Sequence, residues 1–162
     1  MKFKIENTQI GLDSPTYFIA DIGANHDGEL ERAKKLIKLA SESGANAAKF
    51  QHFKASTIVS AVGFKSLKTG QTHQDKWEKS VSDVYDSASL NNNWTNELAL
   101  ECRKNNIHFF SSIYDLSILR EMSSIVPAFK IGSGDIDWLE MLEETSKYNK
   151  PIIIAAGASE YH

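Results

Sequence analysis

Four stretches of this chain start apolar and end polar: Ile19-Ala20-Asp21-Ile22-Gly23-Ala24-Asn25-His26, Ala48-Lys49-Phe50-Gln51, Phe109-Phe110-Ser111-Ser112 and Lys130-Ile131-Gly132-Ser133-Gly134-Asp135. Each is followed, directly or after a loop, by a helix-like segment. This is the rhythm of successive (β/α) units whose strands carry a site at their C-terminal ends. Strands are predicted over Tyr17 to Ile22, Ala47 to Gln51, Ile107 to Ser111, Ala128 to Ile131 and Pro151 to Ala155. Ala47 to Gln51 does not alternate, as expected of a strand buried on both faces of a parallel sheet. Between Glu29 and Ser43, Ala33, Leu36, Ile37 and Ala40 make the i, i+3, i+4, i+7 stripe of a helix lying on that sheet. Asp27 is the expected N-cap of this helix and Gly44 its stop. Thr95 to Asn105 is helical, with Leu98 and Cys102 on one face. Asp115 caps a helix through Ser123 with Leu116, Leu119 and Met122 inward. Asp137, with Glu140 three residues on, reads as a capping box for a helix with Trp138, Met141, Leu142 and Thr145 inward.

Residues 52–92 break the rhythm. A connection this long is functional or decorative. It leaves the C-terminal end of the second strand, so it is expected over the active face. Trp77, Val81, Val84 and Tyr85 predict a short helix inside it. The fold class is α/β with parallel (β/α) repeats, readable as an open flavodoxin-like sheet or as the N-terminal half of a TIM-type (β/α)8 barrel. A full barrel needs about 250 residues, and this chain has 162. It is expected to be one domain, residues 1–162.

Composition narrows the function classes. The chain is 41% hydrophobic and 24% charged, with a net charge of −3, so nucleic acid is not an expected partner. No apolar run approaches the roughly 20 residues of a membrane span. The start, Met-Lys-Phe-Lys, does not read as a signal peptide. The single cysteine, Cys102, excludes an internal disulfide and fits a cytoplasmic location. It is expected to be a small buried hydrophobe.

Against an acidic background, two lysines stand out. Lys49 and Lys130 each interrupt an otherwise small or apolar strand. An amine there is unfavourable unless it is paired or faces a polar cavity. Two on one sheet make a positive pocket for phosphate or carboxylate, or else two ion pairs with Asp21 and Asp135. Gly132-Ser133-Gly134 lets the backbone approach a ligand, and Ser133 adds a hydroxyl donor. Ser111 and Ser112 are further donors toward the same anion. Asp21 is placed to orient water, a metal or a sugar hydroxyl. His26 reads as a loop hydrogen-bonding residue, and no histidine pair with metal-ligand spacing is present.

Taken together and in order, Ala20 to Gly28, Lys49-Phe50-Gln51, Phe110-Ser111-Ser112 and Lys130 to Asp135 resemble the N-terminal barrel of the sialic acid synthase family, the N-acetylneuraminate, legionaminate and pseudaminate synthases. The resemblance runs from about Tyr17 to Ser159. It implies a transferase of carbohydrate biosynthesis that condenses phosphoenolpyruvate with an open-chain N-acetylated amino sugar to a nine-carbon 2-keto acid. It also implies a homodimer and a divalent metal, Mn2+ or Mg2+. The metal-binding histidines of the family belong to the second half of the barrel, which is not found here, nor is the antifreeze-like domain; no metal ligands are therefore expected in this chain. By the resemblance, Lys49 and Lys130 hold phosphoenolpyruvate, Ser112 and Ser133 donate to it, and Gln51 faces the acceptor sugar. Asp21 and Asp135 stand where most or many members have Glu, one methylene longer. Ala155-Ala156-Gly157-Ala158 stands where many have Ser-Thr-Gly-Met, so a hydroxyl contact to phosphoenolpyruvate is lost. Catalysis by the 162 residues alone is not expected. The other readings are a Schiff-base aldolase working through Lys130 or Lys49, and a non-catalytic phosphate-binding half-barrel that needs a partner.

Overall fold

A computed structural model describes residues 2–66, 77–157 and 159–160. Residues 67–76 of the long segment, and Ala158, lie outside them. The chain opens with an antiparallel hairpin, β1 (Lys2–Ile5) and β2 (Thr8–Gly11). A five-stranded parallel sheet follows in sequence order: β3 (Ile19–Gly23), β4 (Ala47–His52), β5 (His108–Ile113), β6 (Phe129–Ile131) and β7 (Ile152–Ile154). Helices α1 (Leu30–Glu42), α5 (Thr95–Lys104), α6 (Leu116–Met122) and α7 (Leu139–Ser146) lie between successive strands. The segment after β4 carries α2 (Ala55–Ile58), α3 (Ala61–Ser66) and α4 (Val81–Ala88). The predicted short helix is α4, and Trp77 precedes it.

Strand alternation sorts the side chains into two layers. Ile22, Ala48, Phe50, Phe109, Ile113, Phe129 and Ile131 pack with Ile37, Leu98, Leu119, Met122 and Met141 of the helices. Cys102 is fully buried in this layer, as its spacing predicted. The other face begins apolar. At its N-terminal end Ala47, Phe110 and Ala128 pack with Ile5 of the hairpin, beside Ile19 and Ile153. Continuing along the same face, two residues at a time, the next inward positions are Asp21, Lys49, Gln51, Ser112 and Lys130. One strand face thus changes from apolar to polar along its length. A one-residue slip would bury those charges among the helices, so register is tightly specified.

Helix ends follow local rules in part. Gly44 takes φ +84° just past α1, a conformation that glycine adopts without strain. The Asp115 carboxylate accepts from the N–H groups of Ser117 and Ile118, as expected of a cap. Two expected caps are corrected. Glu29, not Asp27, precedes α1, and its side chain makes no capping bond; Asp27 has φ +51° and pairs with Arg32 at 2.9 Å. The residue before α7 is Trp138, not Asp137, and Glu140 accepts from the Trp138 indole N–H at 3.1 Å instead of closing a capping box.

Candidate active site

The parallel ladder sets the site. Asp21 is registered with Lys49, Gln51 with Ser112, and Ser112 with Lys130. Gly132 follows β6, and Ser133–Asp135 form a single 3-10 turn, which turns Ser133 and Asp135 back over the strand ends. All seven residues singled out from the sequence, Asp21, Lys49, Gln51, Ser112, Lys130, Ser133 and Asp135, line one cavity of about 610 Å³.

Its two amines differ. Lys49, only 9% exposed, donates to Asp21 Oδ1 at 2.8 Å. Lys130 Nζ donates to the Ile131 carbonyl at 2.7 Å, and no ion pair engages it among the described residues. Of the two alternatives, a pair of neutralised lysines or an open positive pocket, the structure has one of each. Burial lowers the Lys130 pKa first, and the charge on Lys49 lowers it further, against the pull of Asp21 and Asp135. Burial raises the Asp135 carboxyl, opposed by Lys130 and reinforced by Asp137. Each shift has the sign that desolvation demands.

Gly132 leaves room for the Asp135 carboxylate. A Cβ there would lie 2.8 Å from Asp135 Oδ2, so any side chain would displace that carboxylate. Tyr114 also lines the cavity, and its phenol is raised by burial while a hydrogen bond with Ser112 works the other way. Sequence reading missed Tyr114, although it continues the two-residue alternation Phe110, Ser112, Tyr114 past the strand end. Phe53, Ile58 and Tyr85 form the wall contributed by residues 52–92. Phe53 and Tyr85 meet edge to face, with centroids 5.7 Å apart. No periodicity could have placed these three. Ala155 completes the lining without a hydroxyl.

Ser111 is corrected. It faces the helices, fully buried, and its hydroxyl meets His52 Nδ1 at 2.7 Å. It cannot share an anion with Ser112, because neighbouring strand residues point to opposite faces. His26 is buried as well; its Nδ1 accepts from the Gly28 N–H at 3.0 Å, consistent with a loop hydrogen-bonding role. The residues present do not fit the divalent metal implied by the resemblance. Among the described residues no three His, Cys, Asp or Glu groups come together, and Asp21, a carboxylate of the cavity, is already held by Lys49. Among the described residues no helix is long and apolar enough to cross a membrane.

Comparison with known proteins gives the fold and the family. The spore coat polysaccharide biosynthesis protein SpsE of Bacillus subtilis is 32% identical over 160 residues, which are 98% of this chain and 41% of that protein. The N,N'-diacetyllegionaminic acid synthase of Campylobacter jejuni is 36% identical over 143 residues, 88% of this chain and 42% of the synthase. The crystal structure of the N-acetylneuraminic acid (sialic acid) synthetase of Leptospira borgpetersenii, in complex with citrate, superposes with a TM-score of 0.81 at 26% identity. The alignment covers 99% of this chain and 51% of that one. The chain therefore spans about two fifths of the curated relatives it matches, and its parallel α/β sheet is that of their (β/α) barrel. A model of the NeuB family matches residues 36–162, which include β4 to β7 and every lysine, serine and glutamine of the cavity, and this chain belongs to the NeuB family.

Proposed function

We propose that this chain carries the phosphoenolpyruvate-binding part of a sialic acid synthase-type site, for a condensation with an N-acetylated amino sugar that gives a nine-carbon 2-keto acid. The observation that carries the reading is the convergence of Lys49 and Lys130 with Ser112 and Ser133 in one open cavity. Phosphate and carboxylate are both anions, and charge-assisted donors fixed on strand ends bind them without reorganisation. Lys130 and the two hydroxyls hold the ligand's charged ends. Lys49 adds its charge and keeps Asp21 in place. The effect is positional: the enol carbon is held where an acceptor aldehyde can meet it. Gln51 and Asp135, both in the cavity lining, face the acceptor. Asp21 serves the water or the aldehyde. Both acids are one methylene shorter than the Glu the family resemblance implies, which fits an acceptor different from that of most members.

Titration calorimetry with phosphoenolpyruvate tests the reading. Binding is expected, weakened roughly ten- to a hundred-fold in Lys49→Ala and in Lys130→Ala, the loss of one charge-assisted hydrogen bond. No heat from phosphoenolpyruvate, with the fold intact by circular dichroism, overturns it. Phosphate release with manganese and a panel of N-acetylated hexosamines is expected to be absent for the 162 residues alone; clear turnover would show that they suffice.

A further inference from the structure

The geometry points to Lys130 as a carbonyl-capturing amine, which forms an imine with small anionic carbonyl compounds of the 2-oxo acid type. Three observations carry this. First, Lys130 Nζ lies in the open cavity and its hydrogen bond is to a backbone carbonyl, that of Ile131. It has no carboxylate ion pair among the described residues. Lys49, by contrast, is tied to Asp21 at 2.8 Å. Secondly, the groups that face Lys130 are Lys49, Asp21 and Asp135. Burial and the Lys49 cation both disfavour its ammonium form, so its free-amine share exceeds that of a solvated lysine. Thirdly, the cavity supplies what holds the reagent's charge. Lys49 and the hydroxyls of Ser112 and Ser133 line it beside the carboxylates of Asp21 and Asp135, and these donors can hold a carboxylate by charge-assisted hydrogen bonds.

Lys150 sharpens the contrast. Its ammonium form is also disfavoured by burial. However, its amine donates to two carbonyls, of Ser123 and Val126, each at 2.6 Å, and it is not among the residues lining the cavity that holds Lys49, Ser112 and Ser133. A desolvated amine is therefore not enough; Lys130 combines one with a place for the carboxylate.

The chemistry is balanced without a resident cofactor. Lys130 loses its proton to water, and the nitrogen lone pair attacks the carbonyl carbon. The C=O electron pair moves to oxygen, which takes a proton. The carbinolamine then expels water to leave the imine. Added cyanoborohydride delivers hydride to the imine carbon and fixes the adduct as a secondary amine.

The test uses the whole chain with glyoxylate and cyanoborohydride, followed by peptide mass mapping. Lys130 is expected to be modified roughly tenfold or more faster than the exposed lysines, about the gain that one charge-assisted hydrogen bond to the reagent's carboxylate gives. Acetaldehyde, which has no charge to be held, is expected to lose that preference. An adduct spread over the surface lysines, or one favouring Lys49 or Lys150, overturns the inference. So does an equal preference with both aldehydes. Mapping on the unmodified sequence decides the matter even if Lys130→Arg fails to fold. The inference rests on the cavity's amines and not on the phosphoenolpyruvate reading. Selective labelling that phosphoenolpyruvate slows supports both. Selective labelling that it leaves unchanged keeps this inference and counts against the other.

Discussion

His52 shows how a buried titratable side chain is held neutral. It has no exposed surface and bridges two elements. Its Nε2 meets Thr95 Oγ1 at 2.9 Å, and its Nδ1 meets Ser111 Oγ at 2.7 Å. The Thr95 hydroxyl donates to the Asn92 carbonyl, so it accepts from His52 Nε2–H; Nδ1 of the neutral ring then accepts from the Ser111 hydroxyl, for which the Ser112 carbonyl at 3.2 Å is the longer alternative. Both nitrogens are satisfied in the neutral ring. Burial, with a smaller push from His26, lowers its pKa to about 4 from 6.5. The unfolded chain therefore binds the proton first. Stability is whole above pH 6.5 and falls as the pH drops toward 4, by about 3 kcal/mol from this group. His26, lowered by burial against Asp27, adds in the same direction. Urea unfolding at stepped pH should show the midpoint falling across that window, and His52→Gln should flatten the fall. A wild-type midpoint constant from pH 6.5 to 4 would contradict the assignment.

At the scale of the element, α6 is the clearest case of a helix begun by one side chain. Asp115 accepts from two of its backbone N–H groups and from the Ser117 hydroxyl, and pairs with Lys54 at 3.0 Å. Burial works to raise its pKa, but Ser117, Lys54 and the Ile118 N–H outweigh that and hold it down to about 2. A depressed carboxyl stabilises the fold above the unfolded pKa and loses that effect as the pH falls from about 4 through 2. Asp115→Ala should lower stability by about 2 kcal/mol at neutral pH, the upper end for a lost cap, read by denaturant unfolding. Asp115→Asn should keep most of the cap and lose the Lys54 pair. The bond between Lys54 and Asp115 also joins the start of the long segment to the loop after β5, so the same carboxylate steadies the segment that provides Phe53, Ile58 and Tyr85 to the cavity wall.

For the whole molecule, the feature that matters is a parallel sheet with two edges. Among the described residues β3 and β7 each have one strand neighbour. Phe18, beside β3, is 61% exposed, and Ile154, in β7, is 48% exposed. Unpaired strand edges flanked by apolar side chains invite pairing with other chains. The 162-residue chain is expected to associate in a concentration-dependent way in sedimentation velocity. Lysine placed at both Phe18 and Ile154 should suppress this, and a monomer at every concentration would show that the edges are protected. Ile5 of the hairpin covers the apolar end of the inner face, leaving the polar end as the open one, where the cavity lies.

Much of this was legible along the chain. The five strands, the layer of helices, the cap at Asp115 and the seven cavity residues could be read because strand alternation and helical spacing repeat over short distances, and because a lysine in an apolar strand is unfavourable without a polar cavity. Other features depended on long-range packing. A serine pair gives no sign of which member points inward; the bond from Ser111 to His52, 59 residues away, puts Ser111 on the helix face. The hairpin, the wall formed by Phe53, Ile58 and Tyr85, and the difference between Lys49, paired with Asp21, and Lys130, which has no ion pair among the described residues, follow from where distant segments meet. Local pattern determines which face of an element is apolar; only the folded chain determines which charge finds a partner.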